Sequence, residues 1–391
     1  MAKTLETAEA AAKERNWPLV IQFLKNYQHE TSQVEKFLNL ALQVLIEGDF
    51  QQRWDIVSSF PKLGKEAIAH LLSILTDEQA ELETRWFAGR ILGEFDEPEV
   101  VISLTEMIQQ SEDEDLSAVA ADALANIGES AISALTKLLS EPQSRLAAVR
   151  SLAQIRRSET IKPLLSVVSD SQPEIRATAI EALGSFHDRR VLPVLLRCLK
   201  DPAATVRKEA VIALGMRSAS QEEFDLVGQI QHLLYDLNPE VCQQAVIALG
   251  RIGSKGAANE ILFQSLKSAT TPCWLKQETV RALSWTANTS TLSYLQEGLL
   301  WSDASVCQEI ITALGSYREP NLRTQATQIL IDFLLSGQET ARQVQIKQTV
   351  AMSLGHLGDP EALIPLKQLT ADPDIGVQLH AIAALKIISK T

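Results

Sequence analysis

The 391-residue chain carries 49 acidic against 36 basic side chains, a net charge of −13, and only four cysteines, none of them in a CxxC pair. That charge works against binding a nucleic-acid backbone, and the cysteine pattern excludes a disulfide framework or paired zinc-ligand spacing. No apolar run is long enough to span a membrane. The acidity is uneven: residues 1–130 hold 24 Asp and Glu against 10 Lys and Arg, while residues 145–217 hold 13 basic against 7 acidic side chains. Such a division is either two solvated surfaces or a field that orients a partner during encounter.

The opening stretch MAKTLETAEAAAKERNW is polar, has helical spacing and lacks the apolar centre of a signal peptide. This predicts a cytoplasmic protein that starts on a helical cap over residues 1–50. Beyond the cap the chain repeats itself. Counted on one leucine per repeat, the series is Leu92, Leu124, Leu152, Leu183, Leu214, Leu249, Leu283, Leu314, Leu354 and Leu385, with four of its nine gaps equal to 31 residues; Phe60 holds the same place one repeat earlier. A period of about thirty residues marks a stack of similar units, not one closed core. After each anchor comes a second apolar segment, among them AISALTKLLSE, TIKPLLSVVSD, VLPVLLRCLKD and ALIPLKQLTAD, spaced by threes and fours. Each unit is therefore two helices. Gly184, Gly215, Gly250, Gly315 and Gly355 are expected at helix ends. The longest gap, 40 residues before Leu354, has an apolar periodic centre and predicts a lengthened helix and loop. The expectation is an all-α fold, an α-solenoid of about eleven helical pairs over residues 51–391, continuous with the cap as a single domain.

Aligned on the anchors, the units form columns. Seven residues before the anchor the column is mainly basic, with Arg145, Arg176, Arg207 and Lys347, but Cys242 and Cys307 interrupt it. Thirteen before stand Asp170, Asp201, Asp236 and Asp372. A carboxylate in the turn and a cation one helical turn later suit backbone capping and a bridge between units; a basic strip gripping an acidic partner is the alternative. Positions six and five before the anchor are polar and variable: Lys208 and Glu209, Gln243 and Gln244, Gln277 and Glu278, Gln308 and Glu309. They should line up on the concave face where solenoids bind partners. With Arg207 they form the candidate partner-binding set. Cys242, Cys307, Cys273 and Trp274 are candidates for contact with a partner or its cofactor. Helix pairs stack about 10 Å apart, so Cys242 and Cys307, two units apart, stand on the order of 20 Å from one another and cannot share a disulfide or one metal. Trp274, Trp285 and Trp301 mark the same region as an aromatic anchor or as packing.

The motifs PEIRATAIEALG and DPAATVRKEAVIALG, an acidic turn followed by Val or Ile, Arg and Ala-xx-Ala-Leu-Gly, resemble HEAT repeats, in particular the PBS-lyase HEAT-like variety common in cyanobacteria. The resemblance covers about residues 50–391. It implies a protein-binding scaffold and three partner classes: an unspecified protein, an A-type iron-sulfur carrier in cluster assembly, or a phycobiliprotein served by a bilin lyase. Deoxyhypusine hydroxylase, a HEAT-like enzyme, holds di-iron through paired His-Glu motifs, whereas here the only such pair is His29-Glu30. The six histidines lack metal-ligand spacing, and no nucleophile elbow or phosphate loop occurs. The residues thus predict a noncatalytic scaffold without a cofactor of its own, binding neither nucleic acid nor membrane.

Overall fold

The computed structural model describes residues 2–26, 33–217, 224–253 and 256–389; the His29-Glu30 pair lies outside them. Among the described residues there is no strand. Helices alternate along the chain as the repeat requires, and the protein is an α-solenoid. The ten leucine-bearing helices, here the anchor helices, are Leu82–Leu92, Glu114–Ile127, Arg145–Ile155, Pro173–Gly184, Ala204–Gly215, Pro239–Ile252, Cys273–Ser284, Ala304–Leu314, Val344–Leu357 and Ile375–Ile388. Their leucines from Leu92 to Leu354 are fully buried, as is Phe60. Leu385, on the last of these helices, is half-buried.

Two compact units make up the chain, Met1–Val191 and Leu192–Thr391. In the first, helices Ala2–Lys13, Trp17–Lys25 and Val34–Glu47 lead into the repeats. In the second, successive anchor helices pack on one another, and the intervening helices Ala257–Lys267, Thr289–Gly298 and Pro320–Leu335 form the other layer. The long spacer resolves into the sixteen-residue helix Pro320–Leu335 and the short helix Glu339–Arg342.

Local chemistry explains where the helices begin. Pro98, Pro173, Pro239 and Pro320 stand in the first helical turn, where a missing N–H costs nothing. The side chains of Asn238, Asp303 and Asp374 accept hydrogen bonds from the free N–H groups of the first turn.

Gly184 and Gly215 are the last residues of their helices and Gly315 is the C-cap residue of Ala304–Leu314, as expected of helix ends. Helices Pro239–Ile252 and Val344–Leu357 run through Gly250 and Gly355 to end two residues later. Gly215 and Gly355 are glycine because the next anchor helix sits against them. A Cβ on Gly215 would lie 2.8 Å from the Cβ of Ala248, and one on Gly355 would lie 2.7 Å from the Cβ of Ala384. The glycine lets two helices approach to backbone contact, whether or not it also ends the first one.

Candidate functional site

The column seven before the anchor is a capping device. Arg207 donates from Nη1 to the carbonyl of Asp201 at 2.7 Å, and its Nε and Nη2 form a bidentate pair with Asp236 of the next unit, both at 2.7 Å. Lys347 pairs with Asp372 at 2.6 Å, and Arg145 with Asp170 at 2.7 Å. Each of these aspartates also accepts the N–H two residues on, closing the turn. Burial alone would raise the Asp236 carboxyl; the Arg207 guanidinium and the Asn238 N–H outweigh it and hold the group below the usual carboxylate range.

The two cysteines perform the same backbone task. Cys242 Sγ donates to the carbonyl of Asp236 at 3.1 Å, and Cys307 Sγ to that of Ser302 at 3.4 Å. Both are buried. Burial first, and the nearby Asp303 charge second, push the Cys307 thiol up to about 12, while burial and Asp236 raise that of Cys242. A protonated, hydrogen-bonded thiol is a structural donor; metal ligation and nucleophilic chemistry need the thiolate. Cys273 is exposed, with Sγ 2.9 Å from Ser305 Oγ. Among the described residues no group of three or more His, Cys, Asp or Glu side chains is placed to hold a metal ion.

The polar row is brought together on the anchor layer of the second unit. Lys208 pairs with Glu240 at 3.0 Å and reaches Glu209 at 3.8 Å. Gln243 donates to Glu278 at 3.4 Å, and Gln277 to the Ser305 carbonyl at 3.5 Å. Arg281 binds Glu278 at 2.8 Å and clasps both oxygens of Glu309 at 2.9 Å. Except for the exposed Gln308, the row, Gln244 included, is half-buried by its neighbours. Glu240 and Arg281, which complete it, escaped the sequence reading. Arg281 lies three or four residues past the polar pair, on the same helical face, so extending the columns by one turn would have found it.

Three exposed tryptophans belong to the same unit: Trp274 at 39 %, Trp285 at 53 % and Trp301 at 37 % of their full accessibility. Lys276 stands 6.0 Å over the Trp301 ring. One ring carbon of Trp285, Cε3, lies 3.0 Å from where a Cβ on Gly250 would be. Trp285 is thus half packing and half surface.

This architecture defines a class, the α-solenoid of stacked helical pairs. The HEAT-repeat model matches residues 68–146 and 132–215, and the model of non-SMC mitotic condensation complex subunit 1 matches residues 174–351. The chain is a HEAT-repeat protein. No curated protein matches the sequence. Among solved structures, Kap95p in complex with RanGDP shares 14 % identity over 98 % of this chain and 58 % of its own, with a TM-score of 0.57, a likeness of fold. An engineered protein is 21 % identical over 82 % of this chain and 98 % of its own, with a TM-score of 0.39. Human deoxyhypusine hydroxylase is also 21 % identical, over 66 % of this chain and 96 % of its own, with a TM-score of 0.30.

Proposed function

We propose that this chain is a noncatalytic, cytoplasmic scaffold that binds another protein along the anchor-helix face of its second unit. The supporting observation is the row from Lys208 to Glu309, whose side chains are tied from unit to unit by Lys208–Glu240, Gln243–Glu278 and Arg281–Glu309. Side chains already ordered lose little entropy when a partner arrives. Many such contacts at the fixed pitch of a solenoid add up to affinity. The glycine–alanine contacts draw the anchor layer together, and a two-layer stack curves toward its tighter layer, so in this reading the row lines the concave side. Lys208, Glu209, Gln243, Gln244, Gln277, Glu278, Gln308 and Glu309 supply the contacts, Arg207 holds the row in register, and Trp274 is an aromatic anchor beside it. Cys242 and Cys307 are seated as backbone donors, which gives no support to an iron-sulfur or bilin role for these two thiols.

The test is a double substitution that alters the charge of the row, Lys208→Glu with Gln308→Arg. Lys208 pairs with an exposed carboxylate, so stability should change by no more than about 1 kcal/mol. A protein retained by the wild-type chain from its native lysate should be retained at least about tenfold less by the folded variant. Equal retention would overturn the proposal.

A further inference from the structure

The first unit carries an apolar face of its own, in register with the anchor columns. Ten, six and two residues before the anchor stand Phe50 and Trp54, then Leu82, Trp86 and Arg90, then Glu114, Ala118 and Asp122. Residues four apart share one helical face about 6 Å apart along the axis. Phe50 is 57 % exposed, and Trp54 and Leu82 are 44 % exposed; Trp86 is half-buried. The rings are ordered: Phe50 and Trp54 stack at 6.2 Å, and both meet the buried Phe87 edge-on, at 5.4 and 6.4 Å. Exposed aromatic residues held rigid are the usual energetic centre of a docking surface.

Charge decides what fits there. Glu114 and Asp122, in the same columns one repeat on, make no ion pair with any described cation; Asp122 accepts only the Gln154 amide, at 3.1 Å. Beyond them a groove of about 670 Å³ is lined by Glu112, Asp113, Glu114 and Asp122 together with Ser117 and Leu146. Ser117 occupies the column that carries a capping cation at Arg145, Arg207 and Lys347, so no long side chain fills this space. The guanidinium groups of the face are engaged: Arg90 lies 4.6 Å over the Trp54 ring and Arg150 is paired with Glu174. Arg90 also shows that this aromatic surface accepts a cation on its π face.

We propose that this face of the first unit docks a cationic amphipathic segment of a partner, its apolar side chains against Phe50, Trp54 and Leu82 and its Lys or Arg side chains toward Glu114 and Asp122. The site is separate from the polar row of the second unit and takes a different ligand, so either assignment stands without the other.

The experiment uses the full chain and a fluorescein-labelled peptide of Lys, Leu and Trp, read by anisotropy. One control peptide has Glu for every Lys, another Ser for every Leu and Trp. The first peptide should bind and the controls should not. Trp54→Ser, and separately Glu114→Lys with Asp122→Lys, should each weaken binding at least about tenfold, while Lys208→Glu with Gln308→Arg leaves it unchanged. Where Trp54→Ser does not fold, Leu82→Ser on a different helix carries the test. Equal binding of the Ser control, or wild-type binding by both face variants, would overturn the proposal. So would a dimer that dissociates on Trp54→Ser, because the face would then belong to a second copy of the chain.

Discussion

Carbonyls in the turn that opens each anchor helix lie outside the helical ladder and need donors from elsewhere. Arg207 serves the Asp201 carbonyl with one nitrogen and turns the other two to Asp236. Cys242 serves the Asp236 carbonyl and has nothing left over for a neighbour. The column therefore does two jobs at Arg207 and one at Cys242. The carboxylate partner has a pH signature. The Asp236 carboxyl sits lower in the folded chain than in the unfolded one, so its contribution is fully present above about pH 4, the unfolded value, and is lost as pH falls through the folded value. Asp236→Asn should cost about 1–3 kcal/mol at neutral pH. Melting temperatures of both proteins measured from pH 7 downward should converge below about pH 4. A gap that stays constant would show that the pair does not act through its charge.

At the scale of a helix, glycine would ordinarily be replaced to advantage, since alanine is about 1 kcal/mol better in a helix interior. Gly355→Ala should nevertheless destabilise. The new Cβ would lie 2.7 Å from the Cβ and 2.8 Å from the Cα of Ala384, which forces helix Ile375–Ile388 outward. Overpacking of this kind costs about 1–3 kcal/mol, which cancels or exceeds the propensity gain. Chemical denaturation should give a lower midpoint for the variant; a raised one would show that the contact is loose. The acidic turn, the proline and the Ala-Leu-Gly spacing were all legible as repeated helix boundaries. The reason for the glycine was not, because close approach is a property of two helices thirty residues apart in the chain.

Across the whole molecule, each unit is stabilised mainly by contacts between neighbouring repeats. Damage should stay local. In Gly355→Ala, hydrogen exchange should quicken in Val344–Leu357 and Ile375–Ile388 while the amides of Leu82–Leu92 keep wild-type protection; uniform loss across the chain would indicate a single cooperative unit. The surfaces of the two units also differ. The anchor columns carry aromatic and acidic side chains in the first unit and an interlocked polar row in the second. Trp54 and Trp86 stand in the same column as Lys208 and Gln243, so the phase that identified the row also locates the aromatic face. Tryptophan in an amphipathic helix reads equally as core, and only the exposure in the folded chain separates the two.

The amino-acid sequence by itself determined the helices, their pairing and their stacking, because helical periodicity and turn chemistry are local and this chain states them again in every repeat. It also determined the columns, since a fixed period puts equivalent residues in equivalent places. Only the tertiary structure decided which polar groups were already bonded to each other: Arg207 with Asp236, Arg281 with Glu309, and Cys242 with a backbone carbonyl. The partners in those bonds lie 29, 28 and 6 residues apart. Whether two such groups meet is set by how closely one helix settles on the next, a distance governed here by whether a glycine leaves room for an alanine.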